Sequence, residues 1–213
     1  MRRALVAIAV AALFAPTAHA ANPKTCKSPK PVYRDGAVRI WKGVGRFHNQ
    51  VWWICSSSIR KPRLFNNQGP FFVEDTGWTF RRFGPRVGYS WDWDNGEDGG
   101  WEIGWVGTRT GHLHAVVISV DDRNDTQGIQ GVAVAPDGSM AFVELFEYRK
   151  TGETDFSTGQ RIGVSMMGAK DLRKPKNVAR IDENNVDPKT LQFDGQTISW
   201  MTKDGQPGSA QLP

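Results

Sequence analysis

The chain of 213 residues holds only two cysteines and four histidines. A zinc site built on clustered Cys and His therefore has almost no ligand set to draw on. No serine sits in a G-x-S-x-G frame, no H-E-x-x-H occurs, and no Gly-rich loop ends in Gly-Lys-Ser/Thr. The signatures of serine hydrolases, zinc proteases and nucleotide-binding P-loops are thus missing. Long helices are disfavoured too, because 23 glycines and 12 prolines interrupt the chain. Nor do the basic residues form one stripe. Pairs such as Arg60-Lys61, Arg81-Arg82 and Arg173-Lys174 are separated by acids, which argues for a solvated surface and against a nucleic-acid partner.

What is present begins at the N-terminus. Met1-Arg2-Arg3 is a basic start, Ala4 to Ala15 is unbroken apolar sequence, and Ala18-His19-Ala20 is a small-x-small cleavage signal. This is the layout of a secretory signal peptide. The apolar run falls short of the roughly 20 residues a spanning helix needs, and no other segment comes closer. Residues 1–20 are expected to be removed, leaving an extracellular protein that starts at Ala21 and does not insert into a membrane. The leader takes two arginines with it, so 27 basic side chains fall to 25 against 22 acidic ones. The remainder is long enough for one domain with a real core.

In an exported chain, two cysteines have one way to pair, and Cys26 and Cys55 are expected to form a disulfide. Loop-closure entropy puts such a bridge at roughly 3–4 kcal/mol. No C-x-x-C is present to suggest a redox pair. The expected organisation is a signal peptide over 1–20, an N-terminal segment over 21–36 tied by the disulfide, and a single all-β domain over 37–213.

The all-β reading rests on short runs rich in Val, Ile, Phe and Trp, at 37–42, 46–56, 63–65, 78–83, 87–91, 101–106, 112–120, 129–135, 140–148, 161–166, 177–181, 191–193 and 196–201. Turn dipeptides lie between many of them: Asn95-Gly96, Thr110-Gly111, Asp137-Gly138, Thr151-Gly152, Asp194-Gly195 and Asp204-Gly205. Residues 139–150 are the one stretch open to a helical reading. Met140, Phe142, Phe146 and Tyr148 alternate as in a strand, with Glu144 breaking the pattern, so a strand is expected.

A faint repeat runs through the chain. Two apolar strands meet at Pro136-Asp137-Gly138, within 116–143, and weaker echoes lie at 38–65, 78–120 and 191–212. At roughly 40–45 residues per unit, the mature chain has room for about four. A small or incomplete propeller of about four antiparallel blades is expected, with a β-sandwich as the alternative.

An ordered set of residues carries a family resemblance: Trp53-x-Cys55, the hairpin of residues 138–143, Val186-Asp187-Pro188-Lys189-Thr190-Leu191, Thr197-Ile198-Ser199-Trp200, Gly205 and Ser209-Ala210-Gln211-Leu212. The chain resembles uncharacterised secreted β-propeller-like proteins of soil actinobacteria. The acidic stretch from Asp92 to Gly100 departs from their plainer central hairpin. The resemblance implies a bacterial origin, a fold style and an export route, and it assigns no activity.

Three constellations could carry chemistry. Trp91, Trp93, Trp101 and Trp105 flank one expected hairpin over 91–105. Exposed indoles can stack on sugar rings, while buried ones stabilise a sheet through cross-strand pairs. Asp92, Asp94, Asn95, Glu97 and Asp98 are crowded as in a calcium loop, but their order is not that of an EF-hand, and a solvated hairpin tip is expected. His112 and His114 share a strand face, with His48 the one further histidine after the leader, too few for a metal site. Glu144 and Glu147 point to opposite faces of a strand and make no acid–base pair. No catalytic residue, cofactor or metal is assigned. The expected function is a secreted, non-catalytic binding or structural domain, with an extracellular partner or a cell-wall glycan. The alternative is a carbohydrate-binding or carbohydrate-active protein using the Trp-rich hairpin.

Overall fold

Turn chemistry divides the chain into strands, and the strands group strictly by their order in sequence. The computed structural model describes residue 26 and residues 31–44, 50–67, 74–94, 99–119, 126–149, 152, 154–167, 176–181 and 183–212. The expected signal peptide lies outside the described residues, as do His48 and Asn95 to Asp98. The first sheet contains β1 (Tyr33–Asp35), β2 (Val38–Val44), β3 (Gln50–Cys55) and β4 (Arg63–Asn67). The second contains β5 (Glu74–Phe83), β6 (Arg86–Asp94), β7 (Gly99–Gly107) and β8 (Leu113–Ser119). The third contains β9 (Thr126–Val134), β10 (Met140–Arg149), β11 (Phe156–Ser165) and β12 (Lys176–Ile181), and the fourth β13 (Val186–Phe193), β14 (Thr197–Thr202) and β15 (Pro207–Gln211).

Each sheet is an antiparallel meander of consecutive strands, and none closes into a barrel. This is the all-β, four-unit, blade-like arrangement the sequence indicates. No helix occurs among the described residues, and 140–149 is strand as expected. The echoes at 38–65, 78–120 and 191–212 correspond to the first, second and fourth sheets. The stretch 116–143 does not correspond to one unit. It straddles the step from β8 in the second sheet to β9 and β10 in the third. The segment expected to be only a tethered N-terminus enters the first sheet, where Tyr33 pairs with Ile40 and Asp35 with Val38.

Side-chain alternation then stacks the sheets in order. Val38, Ile40, Trp52, Ile54 and Phe65 of the first sheet meet Val87 and Val106 of the second. Trp101, Ile103, Trp105 and Val116 on the other face of the second meet Val132, Val134, Met140 and Phe142 of the third. Ala133, Ala141, Val143 and Ile162 on the third sheet's other face meet Val186, Leu191, Ile198 and Trp200 of the fourth. The third sheet is buried on both faces, which is why 131–135 and 140–143 read as continuous apolar runs rather than as alternation.

Polar groups fix the sheets to one another. The Pro136-Asp137-Gly138 turn places Gly138 at φ +100°, a left-handed conformation that glycine adopts without a Cβ penalty. The Asp137 carboxylate accepts the Ser139 N–H at 2.8 Å. The Trp105 indole donates to Gly138 O at 2.9 Å, and Arg86 donates to Pro136 O at 2.7 Å while lying over the Trp105 ring. The second sheet thereby grips the β9–β10 turn. Arg81 reaches Leu191 O at 2.7 Å in the fourth sheet. Gln160 of β11 accepts the Val186 N–H at 2.5 Å.

One packing device recurs inside the sheets. Tyr89 pairs across strands with Gly104, Phe142 with Gly163, Phe146 with Gly159, and Trp200 with Gly208. In each pair the aromatic ring occupies the space where a Cβ on the glycine would stand. Each ring lies flat over its neighbouring strand, so the next sheet can approach.

Candidate functional site

The register of β6 and β7 decides the fate of the tryptophan hairpin. Asp92 pairs with Trp101, Trp91 with Glu102, and Gly88 with Trp105. Trp91 therefore points to the opposite face from Trp101 and Trp105. It faces the first sheet and stacks on Trp78 at 5.1 Å with planes 10° apart, and Trp78 in turn lies 4.4 Å from Trp52. Trp101 and Trp105 face the third sheet. Their exposures are 5%, 6% and 7% for Trp91, Trp101 and Trp105. These three indoles are split between two interior layers and do not form one exposed stacking surface. The side chain of Trp93 lies outside the described residues.

A polar pair sits within that aromatic layer. The Tyr89 phenol donates to Glu102 Oε1 at 2.6 Å. Burial raises the Glu102 carboxyl above its ordinary value, and the bond from Tyr89 works in the opposite direction. Burial also raises the Tyr89 phenol, with the nearby Glu102 charge adding to it. Tyr89 is fully buried, whereas Glu102 is half-buried.

Among the described residues, His112 and His114 belong to no metal-binding cluster. His112 and His114 lie 6.0 and 5.6 Å from the Trp105 ring, and burial, with His112 beside it, lowers the His114 pKa. No group of three or more His, Cys, Asp or Glu side chains is placed to hold a metal ion among the described residues. Asp92 is half-buried on β6, while most of the acidic tip lies outside the described residues. Glu144 is fully buried and meets Arg161 on β11 at 3.1 Å.

The accessible site lies elsewhere, beside the disulfide. Cys26 and Cys55 are bridged as expected, with Cα atoms 5.9 Å apart. Cys55 ends β3 on the outer face of the first sheet, against Trp41, Val51 and Trp53. Arg39 of β2 is directly opposite Cys55 and, on its other side, directly opposite Arg34 of β1. The turn after β3 folds back on itself. Ser56 Oγ accepts the N–H groups of Ser58 and Ile59 at 3.2 and 3.1 Å, and donates to Thr108 O of the β7–β8 turn. Ile59 is buried, which anchors the turn and leaves Arg60 at its exposed end.

Together these elements form a groove of about 430 Å³, lined by the bridge, Ala37, Arg39, Ser56, Ser57 and Arg60. Its charge is of one sign. Among the described residues, Arg34, Arg39 and Arg60 make no ion pair. The carboxylate of β1, Asp35, is turned to the inner face, where it lies 3.9 Å from Arg82. Sequence reasoning located the bridge but not the groove. Arg60 was expected to be plain solvated surface, and Arg39 carried no signal until β2 was registered against Cys55. Comparison with protein-family models, curated proteins and solved structures finds no match to the chain.

Proposed function

We propose that the chain is an exported, non-catalytic binding domain of bacterial origin that engages an extracellular partner, such as a cell-wall glycan, through the groove beside its disulfide. The groove carries this reading: about 430 Å³ of open space bordered by Arg39 and Arg60, neither with an acidic partner among the described residues. A cleft of a few hundred Å³ is the size of many ligand sites. The signal-peptide layout, the bridge and the resemblance to secreted actinobacterial proteins support export. Sugar binding through the tryptophan hairpin has less support, since Trp91, Trp101 and Trp105 are packed between sheets.

Secretion under the chain's own leader should yield protein starting at Ala21 with no free thiol. The purified protein should be retained on cell-wall material, and an Arg39→Gln/Arg60→Gln variant should lose at least about tenfold in apparent affinity, as removal of charge-assisted contacts implies. A Lys189→Gln/Lys203→Gln variant changes net charge equally on the fourth sheet and should be retained like the parent. Equal retention of both variants would count against the groove as the binding surface.

A further inference from the structure

We infer that this groove is an oxyanion site that holds the phosphate group of a larger ligand between Arg39 and Arg60. The inference rests on the groove being the binding surface. Arginine presents a planar fork of N–H donors that matches phosphate and carboxylate oxygens two at a time. Two such forks border one groove, with no described carboxylate paired to either.

A third arginine adds to the field. Like charges directly opposite on an antiparallel ladder repel each other. Arg34 and Arg39 are placed so, with the lane beyond Arg39 taken by Cys55. A bound anion relieves that repulsion. A dianion relieves it more than a monoanion, which favours phosphate over carboxylate.

The walls are held before any ligand arrives. The bridge fixes the Cys55 side. Ser56 spends its hydroxyl on the turn and on Thr108 O, so it orders the loop that carries Ser57 and Arg60. Ser57 is exposed, with no hydrogen bond to its hydroxyl among the described residues, and it can donate to a third oxygen. A loop backbone held in advance reduces the entropy lost on binding, although the donor side chains themselves must still be ordered by the ligand. The groove is much larger than one phosphate, so the phosphate is the head of a bigger molecule.

Thermal unfolding of the mature, oxidised protein in inorganic phosphate, acetate or chloride at matched ionic strength tests this. Phosphate at tenfold its Kd should raise the midpoint saturably by about 3–6 °C. Chloride should not, and acetate should do so less. Arg39→Gln/Arg60→Gln should abolish the rise. Arg39→Lys, which keeps the charge but not the fork, should weaken phosphate binding. If the double variant does not fold, Arg60→Gln alone, at an exposed turn position, should reduce the rise. A rise that survives the substitutions, or that chloride or acetate matches, overturns the phosphate assignment, as does no rise at all. If phosphate fails while Arg39→Gln/Arg60→Gln still loses retention on wall material, the binding reading stands and only the ligand class falls.

Discussion

Tyr89 is fully buried among aromatic rings, and its phenol donates to the half-buried Glu102 carboxylate at 2.6 Å. Tyr89→Phe keeps the ring over Gly104 and deletes the bond, and should cost about 1–3 kcal/mol, read from urea midpoints. The pH dependence follows from burial. The Glu102 carboxyl is raised above its ordinary 4.5, so the folded chain favours the protonated form. Its contribution is fully present below pH 4.5 and is lost as pH rises through the raised folded value. His114 acts in the opposite sense. Its pKa is lowered, so the stability it confers is present above its ordinary 6.5 and is lost as pH falls through the folded value. A bare pH curve mixes the two groups, whereas Glu102→Gln isolates one of them. The variant should gain on the parent between pH 4 and pH 7, and a constant difference would mean that Glu102 ionises as it does in the unfolded chain.

At the scale of elements, pairing of rings with glycines explains how bulky residues fit within closely stacked sheets. A Cβ at Gly104 would stand 2.5 Å from His114 O and 2.6 Å from the Tyr89 ring. At Gly159 it would stand 2.8 Å from the Phe146 ring and 2.9 Å from Ile181 O. In both cases one obstacle is backbone, which cannot swing aside. Gly104→Ala and Gly159→Ala should each lower stability by about 1–3 kcal/mol, despite alanine's better intrinsic fit to a strand. Chemical denaturation checks this, and unchanged midpoints would show that the strands can part at no cost. Strand positions were legible because β-branched and aromatic residues cluster between turn dipeptides, as in 140–148 and 101–106. Tyr33–Asp35 and Pro207–Gln211 escaped because their side chains are mostly polar or small. Their pairing comes from the turns at Gly36 and Gly205, both at positive φ. The groove was illegible for a related reason. Its residues come from the N-terminal segment, β2 and the turn after β3, and only the register of Arg39 opposite Cys55 brings them together.

Across the whole molecule, the sheets form a row in which the main apolar layers join neighbours in sequence: first to second, second to third, third to fourth. Stability in such a row is a sum of unit and interface contributions, and its ends can open before its middle. The disulfide acts at one end only. It closes a sequence separation of 29 residues and is worth roughly 3–4 kcal/mol, all of it tied to the first sheet. Reduction should therefore lower hydrogen-exchange protection at Ile40 and Ile54 while leaving Ile162 and Ile198 near their oxidised values. Arg81, which spans from the second sheet to Leu191 O, works against this independence by coupling the far end to the middle. Equal loss of protection in all four sheets would mean that such cross-links make the row one cooperative unit. Loss confined to the first sheet would mean that the groove, set on that end, can be dismantled by reduction while the rest of the fold stands.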